Sequence, residues 1–210
     1  MSTDSRPSIT GLLQQARSGD RQALDRLFAA CRSYAMILAQ AQVGSWMQAK
    51  VDPSDLVQQS MLEAYRAFDS FHGQTGAEWL AWLRRILHRN AIDQARHFGG
   101  AEKRQVGREI SLEGAATIDD AMGVPEPAAD SLTPSEQLLV HERELMVAEA
   151  LARLSADYRE VILLRNLRGL SFQEVARQMN RSRPAVQMLW MRALRQLQTL
   201  LTQSMCDSSV

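Results

Sequence analysis

Covalent catalysis needs nucleophiles, acids or metal ligands at workable spacing, and this chain offers few. Its four histidines, His72, His88, His97 and His141, are scattered, and its two cysteines, Cys31 and Cys206, lie at opposite ends without a CxxC pair or a histidine neighbour. That spacing argues against a zinc site or a disulfide framework. The sequence has no glycine-rich phosphate loop, no H-E-x-x-H and no nucleophile elbow. The expectation is therefore no enzyme, no metal and no cofactor. What remains is recognition chemistry. Arg183, Gln187 and Met188, with Met191 and Arg192 further along, would share the outer face of one helix. Gln187 can pair bidentately with adenine, Arg183 can reach a guanine edge or a phosphate, and Met188 can cover a thymine methyl. Arg181 and Arg192 suit phosphates, which position without specifying. A second constellation, residues 78–104, joins Trp79 and Trp82 to a cationic run. Aromatic and cationic groups together suit unstacked bases, although two tryptophans on one face suit a core better.

The elements that must position these side chains all read as helix. Asp52-Pro53 is an N-cap followed by proline at the first helical position, and Leu56, Val57, Met61, Leu62, Tyr65 and Phe68 follow at three- and four-residue steps. Residues 78–98 repeat the pattern through Trp79, Leu80, Trp82, Leu83, Ile86, Leu87 and Ile92. Thr133-Pro-Ser-Glu136 and Ser171-Phe-Gln-Glu174 are capping boxes. Ser155 caps a helix that Gly169 ends. Ser171 starts a short helix, Asn180-Arg181-Ser182 makes a tight turn, and Ser182 caps a long last helix. A short helix, a three-residue turn and a longer arginine-faced helix form a helix-turn-helix, whose second member enters the major groove. Alternating strand patterns are absent, so the expected class is all-α: two small helical domains joined by an acidic flexible linker.

The 210 residues carry 24 basic and 24 acidic side chains, for zero formal charge. The balance hides a segregated polymer: residues 84–108 have net charge +5, residues 109–160 net −9 and residues 161–206 net +6. Within the acidic block, residues 111–135 hold two glycines and three prolines with no aromatic residue, which is linker composition. The expected organisation is an N-terminal tail at 1–17, a first domain at 18–108, the linker at 109–135, a second domain at 136–202 and a tail at 203–210. No run approaches a membrane span, and the start Met-Ser-Thr-Asp-Ser-Arg-Pro is no secretory signal, so a cytoplasmic protein without membrane insertion is expected.

At this point two runs resemble a known family. Asp52-Pro-Ser-Asp-Leu-Val-Gln-Gln-Ser-Met-Leu-Glu-Ala-Tyr-Arg-Ala-Phe68, followed by Trp82-Leu-Arg-Arg-Ile-Leu-His-Arg-Asn-Ala-Ile-Asp-Gln-Ala-Arg96, is similar to region two of a bacterial RNA polymerase sigma factor. Residues 151–200 resemble region four. The short linker and lack of a third domain point to the extracytoplasmic-function (ECF) group, and Phe71-His-Gly-Gln-Thr75 with Ala81-Trp-Leu-Arg-Arg-Ile-Leu87 to its planctomycete-like branch.

The resemblance implies a polymerase-docking helix that uses Asp52, Asp55, Leu56, Val57, Gln58, Gln59, Leu62 and Tyr65 against core RNA polymerase (β′ and β subunits). The family often has Gln-Glu where this chain has Gln58-Gln59, so one docking charge is missing. It implies −10 recognition and melting of promoter DNA through Trp82, Arg84, Arg85, Arg89, Asn90, Asp93 and Arg96, with either Arg89 or Asn90 at the pocket for a flipped base. It implies −35 reading by Arg181, Ser182, Arg183, Gln187, Met188, Met191 and Arg192. Members are commonly held by an anti-sigma partner. On this reading a charged residue at Leu56 or Val57 abolishes polymerase capture and leaves the fold intact. With DNA-facing arginines confined to two short blocks and acids between them, free protein is expected to bind duplex DNA in the weak range of roughly 10⁻⁴–10⁻⁶ M. Acidic linker residues could also fold over the basic blocks and mask them. The rival is a stand-alone helix-turn-helix regulator, which would bind duplex tightly without polymerase and show half-site symmetry.

Overall fold

The computed structural model describes the backbone of residues 8–42, 52–105 and 134–207, and the side chains of residues 8–42, 52–97 and 143–204. Residues 109–133 of the expected acidic linker, the Thr133 cap among them, lie outside the described residues, and its last two, Pro134 and Ser135, already belong to a helix. Within them the fold is all-α, with no strand.

The first helix, α1 (Ile9–Arg17), occupies most of the segment expected to be a tail. The Ser8 hydroxyl accepts from the Gly11 N–H at 3.1 Å. Ile9, Leu12, Leu13 and Ala16 then bury one face, which three apolar side chains and an alanine at helical spacing suffice to explain. Gly19, at φ 97°, breaks the helix. Asp20 Oδ1 accepts from the N–H groups of Gln22 (2.8 Å) and Ala23 (3.1 Å), starting α2 (Arg21–Gln42).

Asp52 and Pro53 start α3 (Pro53–Arg66) as expected. A 3₁₀ turn at Phe68–Ser70 leads toward the long α4 (Gly76–Gln105). Glu78, in the first turn of α4, accepts from the backbone N–H groups of Gln74 (2.7 Å) and Thr75 (2.9 Å). Those bonds hold its carboxyl below the usual range. The centre of this half is aromatic. Trp79 is fully buried, with Phe28, Phe68 and Phe71 edge-on to it at 5.4, 5.8 and 5.3 Å. Its indole N–H donates to Cys31 Sγ at 3.3 Å.

The C-terminal half begins with α5 (Pro134–Arg153). This helix lies against α2 and α4, so Ala148 and Leu151 join the same core as Leu13, Leu27 and Trp79. The guanidinium of Arg159 closes the end of α5 by donating to the carbonyls of Leu151, Ala152 and Leu154 at 3.0, 3.0 and 2.9 Å. Next come α6 (Ala156–Ile162), a π-helical turn at Leu163–Leu167, the short α7 (Phe172–Gln178) and the last helix α8 (Arg183–Asp207). The helix expected to run unbroken to Gly169 thus widens over its last turn, where the Arg168 N–H bonds Leu163 O at 3.0 Å. Helix α8 also runs past residue 202, where a tail was expected.

Candidate functional site

Three helices carry the expected recognition residues. On α3, Asp52 Oδ1 accepts from the Ser54 N–H at 2.8 Å and fixes the start of the helix. The residues that follow divide sharply between two faces. Asp55, Gln58, Leu62 and Tyr65 recur at three- and four-residue steps and are all exposed, with Gln59 beside them. Leu62 and Tyr65 keep 48% and 46% of their surface. Leu56 and Val57 lie on the other face, at 0% and 4% exposure, among Ala35, Ala39, Leu87 and Ala91. This corrects the expectation that they meet a partner: α2 and α4 cover them, and they are core.

On α4 the structure gathers Trp82, Arg85, Arg89, Asp93 and Arg96 onto one stripe at three- and four-residue steps, with all but the half-buried Trp82 exposed. Trp82 leans on Phe71 at a ring distance of 5.0 Å. Arg84 and Asn90 stand elsewhere. About 200° around the helix from Trp82 at ~100° per residue, Arg84 turns to the seam between the two halves. There its Nε and Nη2 donate to the Tyr34 hydroxyl at 3.0 and 2.6 Å, and Nη2 lies 3.4 Å from Glu144 Oε2. Burial pushes the Tyr34 hydroxyl up to about 12, with Arg84 pulling the other way and Glu144 adding to the rise. Asn90 is 5% exposed, and its amide donates to Ser60 Oγ at 3.1 Å and Glu63 Oε2 at 3.0 Å. Glu63 also accepts from Arg89 Nη2.

The helix-turn-helix is built as its sequence predicts. Ser171 Oγ accepts from the Glu174 N–H at 3.3 Å, and Glu174 Oε2 accepts from the Ser171 N–H at 2.7 Å. These bonds lower the Glu174 carboxyl. Gly169 and Asn180 take positive φ, 68° and 51°. Ser182 Oγ accepts from the Ala185 N–H at 3.4 Å, and Val186 and Ala193 bury the inner face of α8. Phe172 of α7 meets Trp190 of α8 edge-on at 5.5 Å, and Trp190 Nε1 donates to Asn166 Oδ1 at 2.9 Å, which ties α8 to the π-helical turn. Arg183, Met188, Met191 and Arg192 are exposed and Gln187 half-buried along the outer side. Arg181 sits in the turn, ion-paired with Asp157 at 2.6 Å.

Three arginines expected at DNA are therefore held by carboxylates: Arg84 by Glu144, Arg89 by Glu63 and Arg181 by Asp157. The linker acids expected to mask the cations lie outside the described residues. The acids seen in that role belong to folded helices. Sequence reasoning missed Tyr34, Glu63, Glu144 and Asp157, because these partners lie 24 to 60 residues away from their arginines. No group of three or more potential metal ligands gathers among the described residues, and none of their helices is long and apolar enough to cross a membrane.

Comparison with known proteins agrees with this arrangement. Residues 21–98 match the family description "Sigma-70 region 2", and residues 144–197 match "Sigma-70, region 4". The chain is 29% identical over 166 residues to the ECF RNA polymerase sigma-E factor of Haemophilus influenzae, covering 79% of this chain and 80% of that one. It is 28% identical over 166 residues to the protein of the same name from Escherichia coli K12, covering 79% of each. Among solved structures, CnrH in complex with the cytosolic domain of CnrY aligns at 25% identity over 92% of this chain and 97% of that chain, with a TM-score of 0.34. The two sigma-70 regions occur in order and together span well over half the sequence, with α3 and α4 in the first and the helix-turn-helix in the second. The chain belongs to the sigma-70 family of RNA polymerase sigma factors, in its ECF group.

Proposed function

We propose that the three exposed faces divide the work of promoter-specific initiation. The face of α3 formed by Asp55, Gln58, Gln59, Leu62 and Tyr65 docks on core RNA polymerase. Exposed apolar groups ringed by acid and amide suit such an interface. The α4 stripe of Trp82, Arg85, Arg89, Asp93 and Arg96 takes the −10 strand as it melts. Arg89, rather than Asn90, stands at the flipped base, because Asn90 is buried between α3 and α4 while the Arg89 side chain keeps 59% of its surface exposed. The outer face of α8 reads the −35 element, with Gln187 and Arg183 at base edges and Arg181 and Arg192 at phosphates. Solved relatives are described with partner proteins, CnrH with CnrY and the Bartonella quintana sigma factor RpoE with the anti-sigma factor NepR. An anti-sigma partner acting in the cytoplasm suits this chain too. The wording Phe71-His-Gly-Gln-Thr75 favours the planctomycete-like branch of the ECF group.

The observation that carries this reading is the segregation of two cation-bearing helical faces, α4 and α8, into two successive domains beside an exposed docking face on α3. The test is run-off transcription by the protein with sigma-free core polymerase on a randomised promoter library. Selected transcripts are expected to share two spaced elements. Tight duplex binding by the protein alone, with no polymerase capture, would sink it.

A further inference from the structure

Glu63 has no place in the motif that marks the docking helix, yet it stands where that helix meets the DNA-facing one. One carboxylate oxygen accepts from Arg89 Nη2, and the other accepts from Asn90 Nδ2 at 3.0 Å. Around it, Ser60 bonds Asn90 at 3.1 Å and Gln59 bonds Gln94 at 3.1 Å, so a polar ladder runs along the α3–α4 contact. Glu63 also lines a shallow hollow on α3 with Gln59, Leu62, Arg66 and Ala67, beside the exposed Leu62. It therefore touches both the surface assigned to polymerase and a cation assigned to DNA.

We infer that Glu63 is a positioning residue that couples the two surfaces: it holds Arg89 as an occupied cation on the free protein and gives it up when α3 is covered. The inference rests on the division of surfaces proposed above. The physical basis is competition. A phosphate must displace the carboxylate to reach Arg89, and a cationic group of a partner seated over Leu62 competes with Arg89 for the same carboxylate. The pair keeps 59% (Arg89) and 37% (Glu63) of its side-chain surface exposed, so it is weak enough to exchange. The anchorage of Asn90 is what keeps Glu63 aimed at α4.

Glu63→Gln tests this, since the amide oxygen still accepts from Asn90 while the charge on Arg89 is lost. The probe is a labelled mixed-sequence single-stranded DNA titrated with the full chain, without polymerase, across a salt series. Freeing one cation should tighten binding about two- to fivefold, the range an exposed ion pair supports. It should also steepen the log–log salt dependence by about 0.7, the value for one added phosphate contact on single-stranded DNA. Adding Arg89→Ala to Glu63→Gln should return both readouts to or below the wild-type level. With core polymerase bound, wild type and Glu63→Gln should no longer differ. An unchanged affinity and slope in Glu63→Gln, a gain that survives Arg89→Ala, or a gain of equal size in the polymerase complex would each overturn the inference. Failure of wild type to transcribe selectively with core polymerase would instead sink the sigma reading beneath it, whatever the oligonucleotide shows.

Discussion

Arg84 of α4 and Glu144 of α5 lie 3.4 Å apart, and they join the region-2 half of the molecule to the region-4 half. The guanidinium is held from a second side by the Tyr34 hydroxyl, so three helices meet at one cation. Side-chain exposures of 23% and 28% put the pair between a surface and a buried bridge. Glu144→Gln should weaken the closed seam by about 1 kcal/mol or less, at most about fivefold in the balance between packed and separated halves. Fluorescence energy transfer between dyes on the two halves reads that balance. Transfer equal to wild type at all salt concentrations would show that the ion pair contributes nothing to the seam.

The two faces of α3 separate a core side, Leu56 and Val57, from an exposed side, Leu62 and Tyr65, on which docking is proposed. Leu56→Ala removes a fully buried side chain between α2 and α4 and should cost about 2–5 kcal/mol of stability. Leu62→Glu, on the exposed face, should leave stability within about 0.5 kcal/mol and weaken capture of core polymerase. Chemical denaturation and a polymerase pull-down separate these effects. A stable Leu56→Ala, or a Leu62→Glu variant that still captures polymerase normally, would reverse the assignment.

That division shows where sequence reading stops. Helical spacing groups Leu56 with Val57 and Leu62 with Tyr65, but which group is covered depends on α2 and α4, whose contacts no local pattern encodes. The helix-turn-helix was legible because its determinants are local. The box at Ser171 and Glu174 and the left-handed Gly169 and Asn180 all lie within a few residues of what they control. Helix α1 was missed because its apolar face is short and follows a polar stretch. The stripe Trp82, Arg85, Arg89, Asp93 and Arg96 was present in the spacing. Arg84 and Asn90 lie off it because the helix turns them toward other neighbours, which stand 27 to 60 residues away and which no local pattern gives.

Gln187 on α8 and Arg181 in the turn before it should fail in different ways. Gln187→Ala should cost about 1–3 kcal/mol and relax preference at one −35 base pair. Arg181→Ala should weaken all sequences alike and lower the salt slope by about 1. Part of that loss is offset because Arg181 must first leave Asp157. Holoenzyme binding to a panel of single-base −35 variants distinguishes the two. Uniform weakening by Gln187→Ala would remove it from base reading and leave it a phosphate or packing residue.

Two buried groups give the core an alkaline limit. Burial raises the Tyr34 hydroxyl from 10.0 to about 12 and the Cys31 thiol from 9.0 to about 12, the latter despite the hydrogen bond from Trp79. Both groups are neutral when protonated, and both hold their protons more tightly in the folded chain. Their contribution is therefore complete below the unfolded value of Cys31 and is lost as pH rises from 9.0 toward about 12. Between its own limits, 9.0 to about 12 for Cys31 and 10.0 to about 12 for Tyr34, each group lowers stability by up to about 1.4 kcal/mol per pH unit. Urea unfolding followed from neutral into alkaline solution should show that decline, and Tyr34→Phe should flatten it by removing one titration. The Cys31 thiol, in a Cys206→Ser background, should react with a thiol reagent only as fast as the domain opens. Reaction at the rate of an exposed thiol under native conditions would mean that the Trp79–Cys31 centre is not closed.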